Sequence, residues 1–473
     1  ATSPLNATGG KLPASTTPQS GVESTGTSES SENPAEGRAS PVVSAATAAF
    51  MARRPRLPPE SPVSAENSEP IRIDLTRDDL GRVLAGRKLR NGAQITASGF
   101  GPRQSSPIVV ENVWIRLKFE QTEGPPLVLS PKSLESARQD AFITVRHGGL
   151  EITGGAFNAS ATDKSGVRSF LQAVDSDLAL RNCRVQGPAI SGTHGRGLIQ
   201  WTRAGNHPQE RLFAGEFEGY AAVDNCFLVG SGTLLEADLS RRALFIRNSV
   251  LIARDDLLAV NLSSAESQVG GAIDLETTTL SAAGSFFRIT AAALDIPADA
   301  PMTVFVDRCV FGPPVHSGKH PVQPTLVSYT GPLIETRQLD WWENRSGYAP
   351  DISSFLRADD APVEPQDFER QWQNRWDAAQ VIEPLTGPQG VVLNHDLPQR
   401  PEDRLKLEPA DFALYPASRA ATWDAGTRAI GASIADLQIP HIRPTADPAP
   451  VRSPGKRGKT SKSPPANPSK PGF

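Results

Sequence analysis

Cysteine and methionine are scarce in this chain of 473 residues, which contains three Cys and two Met. Three cysteines cannot build a disulfide framework, so the chain is not a small cysteine-stapled protein. An excess of one charge is also lacking, because 48 Lys and Arg stand against 52 Asp and Glu, for a formal net charge of −4. We therefore expect no nucleic-acid partner and no electrostatic attraction to an anionic membrane.

Long apolar runs are missing as well. No stretch of about 18 apolar residues is present, so we expect no membrane span, and the start does not read as a signal peptide. The first residue is Ala and not Met, so we expect a processed product or a piece of a longer one. The 39 Gly and 42 Pro indicate many turns or unstructured ends.

Both ends of the chain have compositions typical of disorder. Residues 1–70 are rich in Ser, Thr and Pro, and such a stretch cannot bury enough apolar surface to offset the entropy of ordering its backbone. An Ala-rich run at 42–51 could form a short helix, although the basic RRPR at 53–56 favours a linker. Residues 441–473 form a basic, Pro-rich tail that we expect to be solvated.

The middle of the chain is a repeat of short strands. Five segments share one pattern of six positions. An apolar residue is followed by a charged residue, a polar turn residue, a small residue, any residue and a second apolar residue. They are LRNCRV, VDNCFL, IRNSVL, LETTTL and VDRCVF, beginning at residues 180, 223, 246, 275 and 306. Their turn residues stand 43, 23, 29 and 31 residues apart, and a strand-rich repeat of this length predicts a parallel β-helix with two or three strands per coil.

The corner of each coil is the most informative part of the repeat. Asn tolerates a left-handed backbone and therefore suits a tight corner. The small residue that follows is predicted to point into a narrow stack, where a free Cys behaves as a small hydrophobe. The absence of a CxxC pair argues against the alternative of a metal or redox site. The predicted corner residues are Asn182, Asn225, Asn248, Cys183, Cys226 and Cys309.

The longest gap in the repeat, between 182 and 225, predicts a lateral loop. The loop contains His, Arg and Trp, which makes it the best candidate for a segment that contacts a ligand, although ordinary surface histidines remain the default interpretation. The candidate residues are His194, Arg196, Trp201, Arg203 and His207.

A segment beyond the repeat carries the first family resemblance. DFALYPAS at 411–418, followed by IGA at 430–432, resembles the closing segment of many right-handed parallel β-helix proteins of the pectate-lyase-like class. The resemblance implies the fold and its handedness, and it implies nothing about chemistry.

A second resemblance covers more of the chain. Four phrases resemble the C-terminal region of certain large bacterial proteins, in which a serine/threonine kinase domain precedes a linker and a β-helix-like region. They lie at 71–99, 197–208, 326–333 and 341–348. This chain contains no Gly-rich loop with VAIK, no HRD and no DFG, so the kinase itself would lie outside it. We expect an extracytoplasmic or cell-surface location.

Two acidic residues are the acid–base candidates. RDDLLAV at 254–260 is similar to the GDDCIAI phrase of polygalacturonases, in which paired carboxylates act across a glycosidic bond. The later Gly-His-Gly and Arg-x-Lys of that family are absent here. We therefore favour a polar corner turn for Asp255 and Asp256 over a catalytic pair.

The sequence gives only a weak indication of a metal site. Asp224, Glu236 and Asp238 could meet on one face as Ca²⁺ ligands, but polar alternation on an exposed sheet produces the same pattern without a metal. We predict no metal and no cofactor. The aromatic residues of 335–380 are expected to cover the open end of the solenoid, in preference to stacking on sugar rings.

The predicted organisation is a disordered linker at 1–70, a β-helix at 71–335, a C-terminal extension or cap at 336–440 and a disordered tail at 441–473. Because no catalytic motif is present, we favour a non-catalytic interaction or sensor region of a kinase-type or surface protein, which binds an unidentified protein or glycan. The alternative is a carbohydrate-active polysaccharide lyase or glycoside hydrolase of the β-helix class.

Overall fold

The structure, a computed structural model, describes most of the predicted solenoid and not the two predicted tails. The described residues are 45–56, 70–132, 140–159, 169–187, 197–204, 217–262, 270–291, 301–315, 324–330, 338–358, 372–376, 380–387, 390–395, 397, 406–423 and 430–440. The tail at 441–473 and residues 1–44 of the predicted linker lie outside them.

Three parallel sheets make up the fold. Sheet A contains β1 Ile71–Asp74, β2 Ala93–Gly99, β5 Trp114–Gln121, β8 Gly149–Thr153, β11 Asp177–Arg181, β14 Gly219–Asp224, β17 Arg242–Arg247, β20 Ala272–Glu276, β23 Met302–Asp307, β26 Leu339–Asn344 and β29 Val381–Ile382. Sheet B contains β3 Pro102–Ser105, β6 Val128–Pro131, β9 Ala156–Asn158, β12 Arg184–Gln186, β15 Phe227–Gly230, β18 Val250–Ala253, β21 Thr279–Ala282, β24 Val310–Phe311 and β27 Gly347–Tyr348. Sheet C contains β4 Ile108–Glu111, β7 Ala141–Arg146, β10 Ser169–Val174, β13 Ile199–Thr202, β16 Leu235–Asp238, β19 Leu258–Leu262, β22 Ser285–Ala291, β25 Thr325–Thr330 and β28 Ser354–Ala358.

Each coil passes through sheets A, B and C in turn and then enters the next coil, so every strand pairs with the equivalent strand of its neighbours. The predicted right-handed parallel β-helix with three strands per coil is confirmed. The sheets continue beyond residue 335, because β26 to β29 add strands to all three of them.

The core is a set of side-chain columns inside the coils. One column on sheet A runs through Leu180, Val223, Ile246 and Leu275, which are direct partners on successive strands. All of them are at most 1% exposed. Burial of each such side chain contributes about 1.5–3 kcal/mol, and it requires the neighbouring coil to be present.

The corner between sheets A and B has the same backbone conformation in the five coils that carry the sequence pattern. Asn182, Asn225 and Asn248 have φ angles of 53°, 51° and 38°, and the Nδ2 of Asn248 donates to the Oδ1 of Asn225 at 2.7 Å. The residue after each corner is buried. The Sγ of Cys183 donates to the carbonyl of Arg181 at 3.2 Å. Ser249 and Thr278 at the same position make the equivalent bond, which explains why either a thiol or a hydroxyl is found there.

The three corner cysteines are free and fully buried. Burial raises the pKa of the Cys309 thiol above its ordinary value. A fully buried thiol with a raised pKa forms little of the reactive thiolate, so Cys309 acts as a packing group.

Short elements flank the coils. Helix α1 (Ala45–Arg53) lies within the part of the chain that we assigned to a linker, so the helical interpretation of that Ala-rich run was the correct one. Helix α2 (Leu80–Ala85) buries Leu80 and Leu84 in the core at the N-terminal end. Asp79 caps α2 by accepting from the backbone N of Arg82 at 3.3 Å.

The C-terminal segment covers two different surfaces. Trp372 is fully buried at the last coil, with its ring 4.8 Å from that of Trp341. Residues 406–423 and 430–440 instead lie along the outer face of sheet B. They contain the short helix α3 (Arg419–Thr422) and 3-10 turns at Pro409–Phe412 and Ile434–Asp436. Phe412 is 2% exposed and packs on Phe227 at 6.5 Å.

The closing-segment motif has a physical explanation in these contacts. Gly431 has a φ of +78°, and a Cβ there would lie 2.8 Å from the Oγ1 of Thr279. The backbone N of Gly431 donates to the carbonyl of Arg308 at 2.7 Å, and that of Ser433 donates to the Oδ1 of Asn248 at 2.7 Å. The motif therefore anchors the C-terminal segment to the corners of the coils.

No helix in the described ranges is long and apolar enough to cross a membrane.

Candidate functional site

The outer face of sheet C carries a row of polar side chains. Seven positions on successive strands are direct partners, and six of them carry polar side chains while the other is Ala259. In order along the sheet they are Gln172, Gln200, Glu236, Ala259, Arg288, Ser328 and Arg357. Each of the seven directly follows two apolar residues, the second of which points into the core. Because side chains alternate along a strand, the residue after it points outward.

Hydrogen bonds connect the first three members of the row. The Nε2 of Gln172 donates to the Oε1 of Gln200 at 3.3 Å, and the Nε2 of Gln200 donates to the Oε2 of Glu236 at 3.2 Å. The backbone N of Gly197 donates to the same carboxylate oxygen at 3.3 Å. Two donors thus hold the Glu236 carboxylate in a fixed orientation at the outer face of the sheet.

Gly197 is required for this arrangement. A Cβ at position 197 would lie 2.8 Å from the backbone N of Glu236 and 3.0 Å from its Cβ. Any side chain there would push against the strand that carries the carboxylate. The close approach of the two backbones is therefore a condition for the 3.3 Å hydrogen bond from Gly197 to Glu236.

An ion pair lies on the other side of Ala259. The Nη1 of Arg288 contacts the Oδ2 of Asp256 at 2.9 Å, with side-chain exposures of 42% and 12%. The backbone N of Ser285 also donates to the Oδ1 of Asp256 at 3.0 Å. Burial raises the pKa of Asp256 above its ordinary value, although Arg288 opposes the shift. A carboxyl that keeps its proton to a higher pH than an ordinary Asp is better suited to act as a general acid.

The site therefore combines two carboxyl groups with a guanidinium. Glu236 and Arg288 stand two strands apart, about 10 Å between backbones, with the small Ala259 between them. Two carboxyl groups in different environments can divide the roles of acid and base across a glycosidic bond. The half-exposed Arg288 can pair with an anionic group of a ligand.

The structure separates the residues of the predicted acid–base pair. Asp255 is exposed at the corner between sheets B and C, and its carbonyl accepts from the backbone N of Gly284 at 2.9 Å. Asp256 is buried beside Arg288. Asp256 therefore lies directly after the corner and also next to Arg288 of the sheet C row.

The predicted ligand loop is not assembled by its described residues. Trp201 is fully buried inside the coils, where its Nε1 donates to the carbonyl of Ser176 at 2.7 Å, so it cannot contact a ligand. Arg203 is paired with Glu218 at 3.0 Å at the corner between sheets C and A. His194, Arg196 and His207 lie outside the described residues, and their role stays a prediction.

The acidic residues considered for Ca²⁺ do not meet. Asp224 ends a strand of sheet A, whereas Glu236 and Asp238 belong to sheet C. Within the described ranges, no group of three or more His, Cys, Asp or Glu side chains is arranged to hold a metal ion.

Sequence reasoning missed most of the sheet C row. Gln172, Gln200 and Arg288 were not singled out, and Glu236 was considered only as a metal ligand. A signal was present, because every member follows an apolar pair such as Leu198-Ile199 or Phe286-Phe287. Aligning these pairs across coils would have placed the seven residues in one column.

Comparisons with known proteins return pectin methylesterases. No family model and no curated protein sequence matches the chain. Among solved structures, the chain is similar to the pectin methylesterase from Aspergillus niger, at 12% identity over 68% of this chain and 96% of that one, with a TM-score of 0.27. It is also similar to pectin methylesterase PemA from Erwinia chrysanthemi, at 10% identity over 67% and 98%, with a TM-score of 0.27. A third match is a pectin methylesterase in complex with a hexasaccharide, at 10% identity over 67% of this chain and 98% of that one, with a TM-score of 0.27.

These matches correct the functional preference drawn from the sequence. We favoured a non-catalytic interaction region over a carbohydrate-active enzyme, and that preference is wrong, because the matching structures are enzymes that share the β-helix. None of them concerns a kinase-associated region. At TM-scores of 0.27 these matches carry no argument about chemistry, which has to come from the residues of the sheet C row.

Proposed function

We propose that this protein is a carbohydrate-active enzyme of the β-helix class, a polysaccharide lyase or glycoside hydrolase, that binds an acidic polysaccharide along the outer face of sheet C. The observation that supports it is the row of polar side chains, in which Glu236 is held by hydrogen bonds and the Asp256–Arg288 pair follows two strands away. An extended glycan fits such a row because both repeat along one direction.

The proposed roles follow from the environments. Asp256 donates a proton to the leaving oxygen, because burial keeps its carboxyl protonated at higher pH than an ordinary Asp. Glu236 acts as the base or nucleophile. Arg288 pairs with the carboxylate of a uronic acid unit, and in a lyase reaction this pairing would also stabilise the negative charge that develops when the base removes a proton.

The location and the parent protein belong to the same proposal. Acidic polysaccharides are extracellular polymers, so the proposed activity places this domain outside the cytoplasm. Attachment to a kinase domain stays a prediction that depends on the sequence resemblance alone.

Turnover of polysaccharides tests the proposal. The full chain is incubated with pectin, polygalacturonate, alginate and glycosaminoglycans, and unsaturated ends, reducing ends and released methanol are measured separately. We expect new unsaturated or reducing ends, and we expect Glu236→Gln and Asp256→Asn each to lower the rate about 10²–10⁴-fold. The rate should fall as pH rises through the pKa of Asp256.

A matched control is available on sheet A. Glu120 is 47% exposed and pairs only with the exposed Lys118 in the described contacts. Glu120→Gln should therefore turn over at the wild-type rate. Equal rates for Glu236→Gln and Glu120→Gln would contradict the assigned roles, and the absence of any new ends would refute the lyase or hydrolase activity. Methanol release alone would point to ester hydrolysis instead.

A further inference from the structure

Helix α1 occupies a specific place on the outer face of sheet A, a different sheet from the one that carries the polar row. Phe50 is fully buried, with its ring 5.8 Å from that of Phe305 and in one apolar cluster with Trp342 and Ile382. The guanidinium of Arg53 lies 4.5 Å from the centre of the Trp342 ring. The helix therefore has an aromatic anchor and a cation–π contact with β23 and β26.

Arg54, directly after the helix, enters a pocket of three carboxylates. Its Nε contacts the Oδ1 of Asp274 at 2.7 Å, and its Nη2 contacts the Oδ2 at 3.1 Å, so the pair is bidentate. Nη2 also contacts Glu276 at 2.9 Å, and Nη1 contacts Asp307 at 3.3 Å. Arg54 is 9% exposed and Asp274 is fully buried.

The charge of the pocket requires a cation at this place. Three carboxylates face Arg54, Arg247 and Arg308, and Arg247 lies 3.6 Å from Asp274. Without Arg54, the cluster has one more negative charge than positive. Burial opposes the charged form of Arg54, yet the carboxylates outweigh this effect and raise its pKa above the ordinary value. A planar guanidinium satisfies the bidentate geometry, which an ammonium group cannot do.

The position of α1 is not a consequence of chain continuity. The chain enters the solenoid at β1, the first strand of sheet A, whereas α1 contacts the ninth and tenth strands in the sheet order. Eight strand spacings amount to about 38 Å. The fifteen residue steps from 56 to 71 reach at most about 50 Å, so many other places on the coils lie within range. The contacts of Phe50 and Arg54 therefore select the place.

We propose that residues 45–54 form a docking segment and that the Asp274–Glu276–Asp307 pocket, with Phe305 and Trp342 beside it, is a recognition site for a short helix with an aromatic residue four positions before an arginine. The chain itself supplies this helix as a tethered ligand. Because the side chains of Phe50, Arg53 and Arg54 make these contacts, the same helix supplied as a free peptide binds the pocket when the tethered copy is disabled.

The test uses the full chain with Arg54→Ala and a fluorescent peptide of residues 44–56. We expect the peptide to bind the Arg54→Ala protein in an anisotropy titration. Wild-type protein should bind it roughly 100-fold more weakly, because the tethered segment competes at an effective concentration of the order of mM. A peptide that carries Arg54→Ala, and a protein that carries Arg54→Ala with Asp274→Asn, should each bind at least 10-fold more weakly.

Arg56→Ala is the matched control. Arg56 is exposed, so its removal changes the charge equally while leaving the pocket occupied, and this protein should behave as wild type. Hydrogen exchange of the α1 amides should be faster in Arg54→Ala than in Arg56→Ala, with the amides of β20 and β23 unchanged.

Two results would overturn the proposal. One is α1 exchange that is equally slow in Arg54→Ala and in wild type. The other is no peptide binding to an Arg54→Ala protein whose β20 and β23 amides remain protected. If Arg54→Ala destabilises sheet A, Phe50→Ala serves as the second variant, because it removes the aromatic anchor and leaves the charge of the pocket intact. The same two outcomes then decide the matter.

Discussion

A buried carboxyl at the C-terminal end of the core should make the stability of this protein depend on pH. Glu343 occupies the sheet A column that Leu275 and Val306 occupy in the preceding coils. It is fully buried, and its Oε2 accepts from the hydroxyl of Tyr348 at 2.6 Å and from the Nε1 of Trp341 at 3.3 Å. Burial raises its pKa from 4.5 to about 7, although these hydrogen bonds oppose the shift.

The magnitude follows from this shift. In the unfolded chain Glu343 loses its proton near pH 4.5, whereas in the folded protein it keeps the proton until about pH 7. Between these values the folded state binds more protons, so the free energy of unfolding decreases as pH rises. A difference of this size corresponds to about 3 kcal/mol, lost between pH 4.5 and 8.

Glu343→Gln isolates the effect. The amide has no charge to bury, and its oxygen can still accept the hydrogen bond from Tyr348. We expect the variant to match wild type near pH 4.5 and to be more stable by about 3 kcal/mol at pH 8. Urea unfolding at several pH values measures this difference in stability. Tryptophan fluorescence detects the unfolding, because Trp341 lies beside the carboxyl.

The difference between the two proteins removes the contribution of other groups. Burial also raises the pKa of Asp177 to about 7, and this group titrates equally in both proteins. Glu120→Gln, on the exposed surface, should keep the wild-type pH dependence. Parallel stability curves for Glu343→Gln and wild type would refute the reasoning, because they would show that Glu343 titrates alike in the folded and unfolded chain.

Two further predictions concern the corners and the C-terminal segment. Asn225→Ala should cost about 1–2 kcal/mol in urea unfolding because of the positive φ, and Asn225→Gly should cost less; equal costs would contradict a conformational role. Arg184 is 1% exposed and its partner Glu408, at 2.6 Å, is 36% exposed. Glu408→Ala should therefore cost about 3 kcal/mol by leaving a buried charge unpaired, more than Arg184→Ala, and thermal unfolding that ranks them in the reverse order would contradict this.

The solenoid could be predicted from the sequence because its determinants are local. The left-handed preference of Asn182, Asn225 and Asn248 belongs to those residues themselves, and so does the tendency of a small side chain to follow each corner. The three strands per coil followed from runs of apolar residues between turn signals. The extent of the coils was underestimated, because Trp341 and Trp342 of β26 look like an aromatic cap when only their composition is considered.

The sheet C row was hidden by irregular coil lengths. Gln172 and Gln200 are separated by 28 residues, whereas Gln200 and Glu236 are separated by 36. Loops of different length at the corners remove any constant period. The corner residues can still be recognised by their type, but the outward positions on the strands cannot. Asp256 was noticed for its neighbour Asp255, yet its partner in the structure is Arg288 in the next coil.

Residue types alone are sufficient for corners, columns and strands, since each of these depends on the dihedral preference or the hydrophobicity of a residue and its near neighbours. Other contacts depend on which strands become neighbours and in what register. They are those of Glu236 with Gln200, of Asp256 with Arg288, and of Arg54 with an acidic pocket 220 residues away. That register is set by the stacking of all coils together, because a shift by one residue would turn every outward side chain into the core.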